Sequence, residues 1–155
     1  MKRMTGSAGA GLSTVRHAFK FIFQRLGIKP AVVHGDGFRR YTERQFAAFR
    51  ATVDLALAEK VDAVLVAGDL FDSNTQPRRS VERVAGELRR LAEAAIRTVI
   101  IPGTHDVYDG ASVYRAYDLP ALAGLPPDSD RLVVLTPDRP DVVLGPLDLV
   151  VHGRV

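Results

Sequence analysis

The sequence of 155 residues contains no cysteine and no tryptophan. Without cysteine the chain forms no disulfide bond or thiolate metal site, and it has no cysteine nucleophile. Aromatic residues make up only 7% of the chain, which argues against a stacking surface for single-stranded nucleic acid. No apolar run approaches the roughly 20 residues that span a bilayer, and the N-terminus lacks the apolar core of a secretory signal. We therefore expect one cytoplasmic domain without membrane contact.

Acidic residues are also absent from the start of the chain, and none precedes Asp36. Residues 1–13 are small, polar and rich in glycine, which predicts a disordered segment before a single domain at 14–155. Residues 14–26 place apolar side chains at helical spacing, but residues 19–23 also suit a strand. The acid-free start is typical of a transit peptide as well, so three interpretations of this region stay open.

Helical and strand-like patterns alternate through the middle of the chain. A helix is predicted to begin at Thr42, which has the capping-box spacing to Gln45. The valine-rich run 61–67 then predicts a buried strand. A second helix follows Pro77, a second buried strand covers 98–101, and shorter apolar runs near the C-terminus predict a strand or two. This order implies an α/β fold with a parallel sheet and crossover helices.

Polar clusters directly follow the two buried strands. Asp69 and Asp72 come after the first strand, and His105 and Asp106 come after the second. Because ligands of parallel sheets bind beyond the carboxyl ends of the strands, we expect the two clusters to meet there. Carboxylates are ligands for divalent cations, and a histidine serves as a general acid or a metal ligand, with Asp106 orienting it. Taken singly, each cluster also fits ordinary turn-forming residues.

The motifs AGDLFD at 67–72 and IIPGTHD at 100–106 carry a family resemblance. Over roughly residues 45–119 the chain resembles the calcineurin-like metallophosphoesterases, and most closely their DNA-repair exonuclease branch. The resemblance implies a four-layered α/β sandwich, with a mostly parallel sheet flanked by helices. It also implies two divalent metal ions, of which manganese is the expected one, a phosphoester substrate such as DNA, and an ATPase partner subunit.

The resemblance assigns roles to individual residues. Asp69 matches the carboxylate that bridges the two metals, and Asp72 matches a supporting residue that is a further candidate ligand. Thr104 stands where the family has a metal-binding asparagine, and its hydroxyl remains a candidate ligand. His105 matches the histidine that protonates the leaving group, and its neighbour Asp106 is the second candidate catalytic residue.

Two family motifs are missing. The opening Asp-X-His triplet is absent, and Asp36 is a candidate ligand that is followed by phenylalanine where histidine belongs. Of the later histidine motifs only His152 with Gly153 is present, so we expect a domain that is incomplete at its C-terminus. Two hypotheses remain: a metal-dependent phosphoester hydrolase, or a non-catalytic relative that keeps part of the metal site. A nucleotide-binding module is disfavoured, because no glycine-rich phosphate loop follows a predicted strand.

Overall fold

The computed structural model describes residues 2–3 and 36–154, with side chains from Glu43 onward. The helices and strands follow one another as β1 (Lys2–Arg3), α1 (Asp36–Ala58), β2 (Ala63–Ala67), α2 (Arg78–Glu93), β3 (Arg97–Ile101), α3 (Val113–Ala116), α4 (Leu119–Leu122), β4 (Leu132–Val134), β5 (Asp141–Leu144) and β6 (Leu149–His152). The predicted helix or strand at 14–26 lies outside the described residues. Of the segment predicted to be disordered, only Lys2–Arg3 is described, and these two residues form a strand.

The chain divides into two compact units, Met1–Met4 with Ala56–Val155, and Thr5–Leu55. The second unit is described only through most of α1, where Ala48 and Val53 are buried. Both sheets, and the residues predicted for the site except Asp36, belong to the first unit.

Helix α1 begins earlier than the sequence predicted. The predicted start at Thr42 is wrong, since the helix is already continuous from Asp36. Spacing of the capping-box type also occurs inside helices, and no proline separates Gly37 from Thr42 to stop the helix there. The C-terminal end was predicted well: Lys60 follows with a positive φ of 50°.

The predicted parallel sheet is confirmed. Strands β2, β3 and β4 pair in that order, all parallel, with Leu65 opposite Val99 and Val99 opposite Val133. Strand β3 is covered on both faces and is buried at Val99 and Ile100. The prediction of a buried strand at 61–67 is only partly correct, because β2 buries Val66 and leaves Leu65 and Ala67 exposed. The carboxyl ends of β2 and β3 therefore lie side by side, with Ala67 opposite Ile101.

One face of this sheet packs against a second sheet. Strands β5 and β6 form an antiparallel pair joined by a 3₁₀ turn at Gly145–Leu147, and β1 lies parallel to β6. The core between the two sheets consists of buried aliphatic side chains: Val99, Val133, Leu135, Val142 and Leu144. The C-terminal part thus contains three strands where the sequence predicted one or two.

The opposite face is covered by α2. This helix starts directly after Pro77, as predicted, and buries an apolar stripe that consists of Val81, Val84, Ala85, Leu88, Leu91 and Ala92. It ends where Ala95 adopts a left-handed φ of 65° and Ile96 donates its N–H to Leu91 O at 2.9 Å. The short helices α3 and α4 were not predicted, because four residues are too few to show helical periodicity. None of the described helices is long and apolar enough to cross a bilayer.

Candidate functional site

Two glycines let the chain leave β2 and β3 in direct contact. Gly68 has a φ of +83°, and a Cβ there would lie 2.8 Å from the Cα of Gly103. A Cβ on Gly103 would collide with the backbone N and the Oδ1 of Asp69. Any larger residue at either position would separate the two loops, so the glycines bring the two predicted clusters together.

Asp69 is the residue on which the two loops converge. It adopts a left-handed φ of 56°, which points its exposed carboxylate across to the neighbouring loop. Its Oδ1 accepts the backbone N–H of His105 at 3.0 Å and lies 3.5 Å from the hydroxyl of Thr104. Its Oδ2 has no hydrogen bond among the described residues. The predicted meeting of the two clusters is therefore confirmed, across 36 residues of sequence.

Asp106 lies beneath this surface and is fully buried. Its Oδ1 accepts the backbone N–H groups of Asp69 at 3.1 Å and Gly103 at 2.6 Å. Its Oδ2 accepts the backbone N–H of Phe71 at 3.2 Å and the hydroxyl of Tyr114 at 2.5 Å. The carboxylate thus ties both loops together. A hydrogen bond to the ring of His105, as suggested from the sequence, is not among its contacts with the described residues.

Tyr114 provides the side-chain donor of this network. Its ring centroid lies 5.9 Å from that of Phe71, at an interplanar angle of 60°. Burial, followed by the negative charge of Asp106, raises the pKa of Tyr114 above its ordinary value. The phenol therefore remains protonated and donates its hydrogen to the carboxylate.

Asn74 forms a second link between the same two loops. Its Oδ1 accepts the N–H of Val113 at 3.0 Å, and its Nδ2 donates to Val107 O at 2.9 Å. Sequence reasoning missed both Asn74 and Tyr114. An asparagine in a strand-exit loop gave some signal for Asn74. No sequence pattern links Tyr114 to the site, because the turn at 107–112 is what places its hydroxyl next to Asp106.

The remaining predicted residues lie apart from this contact. Asp72 is exposed, and its Oδ1 accepts a hydrogen bond from Gln76 Nε2 at 2.6 Å within the same loop. His152 is also exposed, and its Nδ1 lies 2.5 Å from Asp141 Oδ1 across the β5–β6 pair. Asp36 begins α1, but its side chain lies outside the described residues.

The donors at the site suit a divalent cation in kind but not in number. A carboxylate oxygen free of hydrogen bonds and a neighbouring hydroxyl, from Asp69 and Thr104, are hard oxygen donors of the type that Mg²⁺ and Mn²⁺ prefer. However, residues 43–154 contain no group of three or more His, Asp or Glu side chains placed to hold a metal ion. The described residues therefore provide part of a ligand set.

Comparison with known protein families assigns the fold. The family model for calcineurin-like phosphoesterases matches residues 30–154. This chain therefore belongs to the calcineurin-like phosphoesterase family.

Individual relatives match shorter parts of the chain. The DNA double-strand break repair protein Mre11 of Sulfurisphaera tokodaii is 39% identical over 61 residues, which cover 39% of this chain and 16% of that protein. The metallophosphoesterase YhaO of Bacillus subtilis is 37% identical over 73 residues, 47% of this chain and 18% of YhaO. These partial relatives support the DNA-repair branch of the family, although the matched part covers less than a fifth of each.

A third relative comes from a different class. Phosphoribulokinase 1 of Cereibacter sphaeroides is 32% identical over 101 residues, which cover 63% of this chain and 31% of the kinase. Near the N-terminus, the chain has a run from Gly6 to Gly11 that is followed by Leu12 and Ser13. The run has the spacing of the phosphate-binding loop G-x-x-x-x-G-K-[ST], with leucine in place of lysine.

The glycine run is relevant to nucleotide binding. The nucleotide-binding module was disfavoured because no glycine-rich loop follows a predicted strand. Strand β1 (Lys2–Arg3), which the sequence did not predict, ends two residues before Gly6, so the absence of a preceding strand does not count against nucleotide binding at this position. The glycine run itself lies outside the described residues.

Proposed function

We propose that this chain is a metal-dependent phosphoester hydrolase whose site lies where the loops after β2 and β3 meet. The observation that supports it best is the position of Asp69. Its carboxylate is exposed, contacts the loop of Thr104 and His105, and keeps one oxygen free of hydrogen bonds among the described residues. The Mre11 relatives favour DNA as the phosphoester.

Each residue has a distinct task in this proposal. Asp69 and the hydroxyl of Thr104 would hold a divalent cation, with Mn²⁺ the expected ion, and a bound cation would supply positive charge for the phosphoryl oxygens. The exposed ring of His105 protonates the leaving oxygen. Asp36 and Asp72 remain candidate further ligands, and any role for Asp72 requires that its bond to Gln76 is given up.

The test compares Asp69→Asn with Asp118→Asn, which changes the charge equally. Asparagine tolerates the left-handed backbone of Asp69 and keeps an acceptor for the His105 N–H, so the fold should persist. Asp118 caps α4 through a bond to Ala121 N at 3.0 Å, a role that asparagine performs equally well. Mn²⁺ affinity is measured by calorimetry, and hydrolysis with a chromogenic phosphodiester.

We expect Asp69→Asn to weaken Mn²⁺ binding by more than the roughly 10–100-fold that loss of a supporting residue costs. Asp118→Asn should bind and hydrolyse like the wild type. Equal Mn²⁺ affinity in the two variants would refute the proposed site. Mn²⁺ binding without turnover would favour the alternative, a non-catalytic relative that keeps part of the metal site.

A second candidate function is nucleotide binding by the glycine run of residues 6–13. It is favoured by the phosphoribulokinase similarity and by the spacing of Gly6, Gly11 and Ser13. Because Leu12 carries no charge where the motif has lysine, we propose nucleotide binding without phosphoryl transfer. Gly11→Val should abolish ATP binding, while Asp69→Asn leaves it unchanged. ATP affinity that Gly11→Val does not alter would exclude this function.

A further inference from the structure

The carboxylate of Asp106 holds the backbone of Asp69 in place through a hydrogen bond. Asp69 is held at a φ of 56°, a conformation that costs a non-glycine residue roughly 1–2 kcal/mol. The bond from its N–H to Asp106 Oδ1 fixes this conformation, and the same oxygen holds the adjacent loop through Gly103 N. The direction of the Asp69 carboxylate thus depends on how firmly Asp106 is held.

The two oxygens of Asp106 are not held equally. Oδ1 lies between two backbone N–H groups, the shorter bond being 2.6 Å from Gly103. Oδ2 has one backbone partner, Phe71 N at 3.2 Å, and the hydroxyl of Tyr114 at 2.5 Å. Without that hydroxyl, the long hydrogen bond from Phe71 N would be the only one among the described residues that holds Oδ2 against rotation about the Cβ–Cγ bond.

Tyr114 is itself firmly placed. Ser112 caps α3 by accepting the N–H of Tyr114 at 3.3 Å, and Asn74 accepts the N–H of the adjacent Val113 at 3.0 Å. The ring packs at a tilt of 60° against Phe71, which belongs to the loop that carries Asp69. These contacts fix the position of the Tyr114 hydroxyl relative to Asp106.

We propose that Tyr114 is a positioning residue for the cation site, acting through Asp106. Its hydroxyl holds the Asp106 carboxylate in the one orientation in which Oδ1 binds both Asp69 N and Gly103 N. The Asp69 carboxylate is then already directed for cation binding before a cation arrives. The effect on cation affinity rests on the proposed function, whereas the effect on the loop backbone does not.

The experiment compares Tyr114→Phe with Tyr117→Phe in the full chain. Each variant removes one phenolic hydroxyl that donates one hydrogen bond, since Tyr117 OH lies 3.3 Å from Gln76 O. Val142→Ala serves as a second control, because it opens the core between the sheets without touching the site. Mn²⁺ affinity and the exchange rates of individual amide hydrogens in the metal-free protein are measured for all three.

We expect Tyr114→Phe to weaken Mn²⁺ binding roughly 10-fold, as loss of a supporting hydrogen bond does in metal sites. It should also speed amide exchange at Asp69, Phe71 and Gly103. Tyr117→Phe should do neither, and Val142→Ala should lower the melting temperature without changing Mn²⁺ affinity. A loss of Mn²⁺ affinity that merely follows global stability would appear in Val142→Ala as well.

Two results would overturn the proposal: exchange at Asp69 and Gly103 unchanged in Tyr114→Phe, or Mn²⁺ affinity within about two-fold of the wild type. If the wild type binds no Mn²⁺, the proposed function fails instead. The exchange rates then still decide whether Tyr114 positions the two loops, so the two failures are distinguishable.

Discussion

Replacing Gly103 by alanine tests the contact on which the whole site depends. An added Cβ would collide with Asp69 N and Oδ1 and would lie 2.8 Å from the Cα of Gly68. Two of these three atoms belong to the backbone of the neighbouring loop, so no side-chain rotation relieves the collision. The loops must separate, and the bonds from Asp69 N and Gly103 N to Asp106 weaken with them.

The magnitude follows from these contacts. Overpacking of a well-packed region costs roughly 1–3 kcal/mol, and strained backbone hydrogen bonds to a buried carboxylate add to it. We therefore expect Gly103→Ala to destabilise the domain by about 3 kcal/mol, at the upper end of this range. For a chain of this size that corresponds to a loss of roughly 6–12 °C in melting temperature.

Gly86 provides the matched control. It lies exposed in α2, and an added Cβ there meets nothing within 4 Å. Gly86→Ala should therefore raise stability by about 0.5–1 kcal/mol, because alanine favours a helix over glycine. Thermal and urea unfolding of both variants measure the difference, and Mn²⁺ titration follows the site. If Gly103→Ala melts like the wild type and binds Mn²⁺ equally well, the close contact of the two loops is not required.

Three further predictions concern the same part of the chain. Asp106→Asn should cost roughly 3 kcal/mol in urea unfolding, since asparagine offers one acceptor oxygen where buried donors need two. Above a pH of about 10, the free energy of unfolding of the wild type should fall, because tyrosine ionises in the unfolded state whereas its raised pKa keeps Tyr114 protonated in the folded state. Tyr114→Phe should make this fall with pH smaller. Ala95→Gly should raise the melting temperature, because the left-handed end of α2 costs alanine about 1 kcal/mol.

The sequence predicted the parallel sheet and the meeting of the loops after β2 and β3 correctly, because both depend on short-range patterns. The valine-rich run at β3 reflects burial on both faces, whereas β2 has a similar composition but leaves Leu65 and Ala67 exposed. Parallel pairing then places the carboxyl ends of neighbouring strands together. The meeting of Asp69 with the loop of His105 follows from these two steps.

The sequence did not predict the role of residues whose hydrogen-bond partners lie far away along the chain. Asp69 and Asp106 both follow a strand, and the sequence treated both as functional carboxylates. The structure leaves Asp69 exposed and buries Asp106, whose partners at Asp69 N and Phe71 N are 37 and 35 residues away. Tyr114 was missed for the same reason. Its position depends on the turn at 107–112, and no periodicity encodes that turn.

The burial of Asp106 also affects the electrostatics of the site. None of its four partners in the described part of the chain is a cation, so its negative charge is held by dipoles and is not cancelled. Such a charge beneath Asp69 acts through a medium of low dielectric, where interactions are stronger than in water. If Asp69 and Thr104 form the proposed site, this charge would attract the cation towards the surface that Asp69 exposes.

Geometry and charge make different contributions here, and two substitutions separate them. Tyr114→Phe removes a hydrogen bond and leaves the negative charge of Asp106 in place, whereas Asp106→Asn removes the charge as well. If charge contributes, cation affinity falls further in Asp106→Asn than in Tyr114→Phe. Added salt reduces this difference only where the charge is exposed to solvent, because buried charges are screened less. Equal losses in the two variants would mean that Asp106 acts on the cation through loop geometry alone.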